Sequence, residues 1–128
     1  MKIYTSYFSK CSQLKKHNVT PVCIAVGIPK WFDGQVYAKL MPRYEMLSMN
    51  AEKYRKKYFE ILGRLSAGDV VKELEKMSDG KDVAILCYEK EPCKCHRGIV
   101  ALWLTEETGM EIEEFKTEAE RYEQQTFF

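Results

Sequence analysis

The sequence predicts an α/β domain: a mostly parallel sheet of about four strands with helices on both faces, in three layers. Three observations carry this. Val22-Cys23-Ile24-Ala25-Val26 and Val83-Ala84-Ile85-Leu86-Cys87 are continuous apolar runs of strand length, as expected of strands buried on both faces. Helix-period segments lie between them and after them. At Val83 to Leu104 an apolar strand passes through a polar turn into an apolar helical run. The 128 residues, 45% apolar and 30% charged, fit one domain over 1–128 with one core.

Ile3 to Phe8 is a short β-branched and aromatic run and reads as the first strand. Ser9 is placed to cap a brief helix over Lys10 to His17 with Leu14 inward, and Asn18 to Pro21 breaks it. Val22–Val26 then forms a second strand, expected to pair in parallel with the first. Gly27 to Gly34, with two glycines and Pro29, is a loop. Trp31 and Phe32 within it are costly to hydrate, so they fold back on the body or line a pocket. Gln35 to Tyr44 shows no period, and Pro42 argues against a long helix there.

Asn50 to Leu62 reads as a helix, with Asn50 as N-cap and Gly63 as stop. Tyr54, Tyr58, Phe59, Ile61 and Leu62 recur at helical spacing, with Lys53, Arg55, Lys56 and Lys57 interleaved. Such a stripe either binds phosphates while its aromatics stack on bases, or sets an aromatic core face against a solvated basic face. Ser66-Ala67-Gly68-Asp69 has capping-box spacing and opens a helix to about Met77. After a turn at Asp79 to Asp82 comes the strand Val83 to Cys87. His96 or Arg97 begins a helix apolar on nearly all sides, ended by Thr108-Gly109. Met110 to Lys116 alternates like a last, more exposed strand. Thr117 to Gln125 is polar, and Phe127-Phe128 would dock on the body or on another copy.

Net charge is +1, but residues 1–64 carry +8 and residues 65–128 carry −7. This asymmetry either steers an anionic partner to one side or lies on solvated faces. No run approaches the roughly 20 apolar residues of a membrane helix, and the chain opens on a strand-like run rather than an apolar signal region, so a cytoplasmic protein with no membrane partner is expected. In a reducing cytoplasm, five cysteines point to catalysis, metal or redox chemistry rather than crosslinks.

The turn from Cys87 to Gly98 gathers Cys87, Glu89, Cys93, Cys95, His96 and Arg97. The end of a strand leading into a helix is where ligands bind in open α/β sheets. N–H groups at a helix start, with an adjacent arginine, favour anions and a thiolate. An enzyme site there would use Cys95 as nucleophile, His96 with Glu89 as acid–base pair and Arg97 as anion clamp. Zinc on Cys87, Cys93, Cys95 and His96 has suitable ligand types, but Cys-x5-Cys-x-Cys-His is not a familiar zinc spacing. Cys93-x-Cys95 also suits a strained, reversible disulfide. In the plainest reading Cys87 is a core residue, His96 bonds a backbone carbonyl and Arg97 pairs with an acid. Cys11 and Cys23 read as core. The chain has no phosphatase Cys-x5-Arg, no Gly-rich nucleotide loop and no Gly-x-Ser-x-Gly elbow.

Leu86-Cys87-Tyr88-Glu89-Lys90 followed by Cys95-His96-Arg97 and Ala101-Leu102-Trp103-Leu104 resembles the signature of domain-of-unknown-function family 488. Tyr4 to Phe8, Ile28 to Phe32 with Gly34, Tyr37 and Leu40-x-Pro42, and the spaced Tyr54 and Tyr58 resemble further parts of that family. The resemblance runs from Ile3 to about Phe115. It implies a small α/β protein related to nucleic acids or nucleotides. It also implies that Ser6, Lys30, Glu89, Cys95, His96 and Arg97 line one pocket at the strand ends. Cys93 falls outside the family pattern. The expected function is that of an enzyme or binding protein for a phosphate-bearing substrate, nucleic acid or nucleotide. Catalytic candidates are Cys95, His96, Arg97 and Glu89; substrate-binding candidates are Ser6, Lys30, Tyr54 and Tyr58. The alternatives are a non-catalytic zinc- or nucleic-acid-binding module and a thiol redox protein.

Overall fold

The computed structural model describes residues 1–88 and 96–126. Five strands form one all-parallel sheet, one more than the sequence suggests. They are β1 (Ile3–Tyr7), β2 (Val19–Cys23), β3 (Gln35–Val36), β4 (Asp82–Cys87) and β5 (Glu113–Glu114), in the order β3-β2-β4-β1-β5. The helices are α1 (Cys11–Lys16), α2 (Ala51–Gly63), α3 (Ala67–Met77), α4 (His96–Thr108) and α5 (Glu118–Thr126).

The expected pairing of the first two strands does not occur. β4 lies between them, with Ile3 opposite Val83 on one side and Thr20 opposite Val83 on the other. The second strand also begins earlier than its apolar run and includes Pro21. Ile24 N–H bonds the Leu86 carbonyl and Tyr37 N–H bonds the Cys23 carbonyl. Backbone groups of even-numbered residues therefore face β4, and Pro21 faces the other side. There β3 starts only opposite Val22, so the missing N–H leaves no ladder bond unmade. A Cβ on Gly34 would sit 2.9 Å from the Pro21 carbonyl, so glycine lets the chain close up to β2 at that point.

β3 is two residues long, too short for alternation to reveal, and β5 is shorter than the alternation of Met110 to Lys116 implies. At the N-terminal end, Ser9 makes no cap: a 3-10 turn over Phe8–Lys10 leads into α1 instead. The later caps are as expected. Asn50 Oδ1 accepts the Lys53 N–H at 2.9 Å, and Ser66 Oγ accepts the Asp69 N–H at 3.3 Å. Phe127 and Phe128 lie outside the described residues.

Strand alternation divides the core between the two faces. Ile3, Val22, Ile24, Val83 and Ile85 pack under α2, α3 and α4, whose contributions include Leu62, Leu74, Val100 and Leu104. Cys23, Ala84 and Leu86 pack with Phe8, Cys11 and Leu14, on the face covered by α1. Among the described residues, no helix is long and apolar enough to cross a membrane.

Candidate functional site

The connections mark the end of the sheet at which open parallel folds place their ligands. β1 leads into α1 on one face of the sheet; its neighbour β4 leads towards α4 on the other. Adjacent strands whose connections diverge in this way leave a gap at their carboxyl ends, the usual ligand position in open parallel sheets. Tyr7 and Cys87 are opposite one another at that point, Ser6 and Leu86 just before it. His96 and Arg97 open α4 at the same end.

His96 is buried. Its Nε2 lies 2.6 Å from the Ile24 carbonyl oxygen, just beyond β2. A carbonyl only accepts, so Nε2 carries the proton. Burial pushes the imidazole down to about 4, with the Arg97 charge acting in the same sense and the Ile24 bond opposing. At neutral pH the ring is therefore uncharged, with Nδ1 as its basic nitrogen. Tyr58 meets the ring edge-on at 5.4 Å.

Arg97 is fully buried. Its Nε and Nη2 donate to the two carboxylate oxygens of Glu114 at 3.2 and 3.1 Å, and Nη1 lies 2.9 Å from Cys87 Sγ. Thr5 Oγ1 donates to Glu114 at 2.6 Å, so one carboxylate on β5 ties β1 to the start of α4. Two cations lie over the Tyr7 ring, Arg97 at 5.8 Å and Lys10 at 5.9 Å from its centroid. Lys10 is in turn paired with Glu120 of α5. Both cations at the end of β1 thus have carboxylate partners.

The other candidates divide. Ser6 is fully buried in β1, and its hydroxyl has no hydrogen-bond partner among the described residues. Lys30 is exposed in the loop after β2. Tyr58 is in the core, donating its hydroxyl to the Leu40 carbonyl at 2.5 Å, and burial holds its phenol far above the usual range. Tyr54 stacks on Tyr58 and is pushed up to about 12 by burial. The aromatic side of α2 is therefore committed to the core, while Lys53, Arg55 and Lys56 are exposed. Glu89, Cys93 and Cys95 lie outside the described residues. Cys87, expected as an ordinary core cysteine, is buried but disulfide-bonded, which removes it from a zinc thiolate set in this state. Cys11 and Cys23 are buried free thiols, raised chiefly by burial.

Sequence reasoning expected an acid beside Arg97 but did not single out Glu114, or Thr5, which bonds Glu114 through the register of β5 on β1. It also missed an aromatic cluster at the strand ends. Phe8 is the hub, with ring centroids of Tyr88, Phe32 and Trp31 at 4.9, 5.3 and 6.3 Å. The available signal was an aromatic residue directly following both β1 and β4. The Tyr88 hydroxyl donates to the Gly27 carbonyl, joining the end of β4 to the loop after β2.

No curated protein and no solved structure matches the chain. Residues 27–108 match the family described as the Active DUF488-N3 subclade. That match spans most of the chain, including β4, α4 and the residues between them, and the chain belongs to the DUF488 family.

Proposed function

We propose that the protein acts on a phosphate-bearing substrate, a nucleotide or nucleic acid, in the crevice where β1, β2 and β4 end. The observation carrying this reading is the divergence of α1 and α4 from adjacent strands, with His96 and Arg97 at that divergence. The uncharged imidazole suits a hydrogen-bond acceptor or base more than an acid. Arg97, neutralised by Glu114, acts mainly by holding β1, β4 and β5 in register around the crevice. Cys95 remains the proposed nucleophile and Glu89 a proton carrier, on sequence grounds. Ser6 adds support: a buried hydroxyl without a protein partner is costly, and a ligand or water contact accounts for it.

The test is a panel of nucleosides, nucleotides and short oligonucleotides, with binding followed by calorimetry and conversion by phosphorus NMR. Saturable binding is expected for some phosphate-bearing member, with any conversion lost in Cys95→Ser and His96→Gln. Failure of every phosphate-bearing member to bind refutes the reading.

One observation favours a second reading, a thiol redox protein: Cys87 is disulfide-bonded at the end of β4, beside Arg97. Mass spectrometry across a dithiol redox titration tests it. A reversible two-hydrogen step within the cellular thiol range supports the redox reading, and a disulfide that never forms in purified protein removes it.

A further inference from the structure

The aromatic cluster at the strand ends is arranged in an informative way. Trp31 and Phe32 meet Phe8 at interplanar angles of 87° and 78°, and Tyr88 meets it at 57°. Phe8 itself is buried. Trp31 is 62% exposed and Tyr88 53% exposed. Trp31, in a T-shaped contact with Phe8, and Tyr88, tilted against it, each keep more than half of their surface in solvent, where an aromatic ring can be stacked on. Trp31 is anchored through Phe8, and Tyr88 through both Phe8 and the Gly27 carbonyl, so neither is a loose surface side chain.

The charges nearby say what such a surface does not favour. Lys10 is paired with Glu120 and Arg97 with Glu114. Lys30, next to Trp31, is exposed and makes no ion pair among the described residues. Among the described residues, the cation next to Trp31 is solvated, and water and salt largely screen its attraction for a phosphate.

Resting on the reading of the crevice as a nucleotide or nucleic-acid site, we infer that the ligand is recognised through a planar aromatic heterocycle. A nucleobase lies against Trp31 and Tyr88, and the phosphate contributes little to affinity. Base–aromatic stacking is strong enough that loss of one platform weakens binding by roughly tenfold, whereas one exposed cation changes it by no more than about threefold. The substrate class is then a nucleoside or mononucleotide rather than a polyphosphate backbone.

The experiment uses the full chain and titrates it with the common nucleosides, their 5′-monophosphates and inorganic phosphate. Trp31 fluorescence reports the wild type, against a steady background from the buried Trp103. Calorimetry reports the variants. At least one nucleoside is expected to bind within about threefold of its monophosphate, inorganic phosphate alone to bind far more weakly, and affinity to change less than about threefold between low and high salt. Trp31→Ala and Tyr88→Ala are each expected to weaken binding roughly tenfold, and Tyr88→Phe to retain it. Both positions are exposed, so melting curves should stay close to wild type. Monophosphate binding without nucleoside binding, a steep fall with salt, or unchanged affinity in Trp31→Ala overturns base recognition and leaves the phosphate-substrate reading standing. Binding by nucleosides alone supports base recognition and removes the phosphate-substrate reading. No binding by any member of the panel or by short oligonucleotides removes both.

Discussion

Replacing Glu114 by Gln takes a bidentate carboxylate partner from the buried Arg97 guanidinium. Arg97 is fully buried, and the Glu114 side chain is 20% exposed, so the pair is shielded on one side and wet on the other. Breaking a buried pair by removing one partner costs about 3–5 kcal/mol, and the partial exposure of Glu114 argues for the lower end. An unfolding entropy of about 2.1 cal/mol/K per residue then gives a fall in Tm of about 11 °C for 128 residues at about 3 kcal/mol. Two controls separate charge from shape. Thr5→Val removes one hydrogen bond to the same carboxylate and should cost about 1 kcal/mol, or about 4 °C. Adding Arg97→Met to Glu114→Gln removes the buried charge itself and should recover part of the loss. Thermal unfolding followed by circular dichroism at pH 7 reads all three. A Glu114→Gln melting point within about 3 °C of wild type, or a double variant no more stable than the single one, refutes the claim that Glu114 carries the burial of Arg97.

The pH dependence follows from His96, whose ordinary value of 6.5 drops to about 4 in the folded state. Between these values the unfolded chain binds more protons, so stability is whole above pH 6.5 and is lost as pH falls towards 4. The expected loss at pH 5 is about 2 kcal/mol, read from urea midpoints, and His96→Gln should flatten this dependence. Glu120 is also lowered, chiefly by its bond to Lys10, and its contribution is lost separately at pH below 4.5. Burial raises Cys11 and Cys23, so both should react slowly with a thiol reagent at pH 7; a fast thiol abolished by Cys95→Ser identifies the activated cysteine, and equal reactivity with a free thiol removes it. Lys56→Glu with Lys57→Glu should weaken oligonucleotide binding and reduce its salt slope by about two, while leaving nucleoside affinity unchanged. An unaltered oligonucleotide isotherm excludes the outer face of α2 as a nucleic-acid surface.

What was legible in the sequence was local. Asn50 and Ser66 announced α2 and α3 because capping is settled within four residues. The apolar run of β4 announced a central strand, and Gly109, at φ +74°, announced the end of α4. What was not legible depended on neighbours far along the chain. Pro21 is tolerated in β2 only because β3 starts one residue later, and β4 separates two strands that are consecutive in sequence. The types gathered at Cys95-His96-Arg97 marked a candidate site, but their environment was hidden. Nothing near Arg97 in sequence indicates that Glu114 neutralises it, or that Ile24 fixes the His96 proton. Tyr54 and Tyr58 show the limit of periodicity: the spacing marks a face without saying whether it meets a base or the core.

The central position of β4 also governs how the chain reaches its native state. β1 has no neighbour in the sheet until β4 or β5 arrives, and Ile3 meets a partner eighty residues later, at Val83. During synthesis from the N-terminus, two of the most apolar strands are made long before the strand that separates and covers them. Sheet formation must wait for a single late segment, which raises contact order and slows folding. A fragment ending before Asp82 keeps only the short β2–β3 contact of the sheet, so the unit that can acquire this fold extends at least through β4.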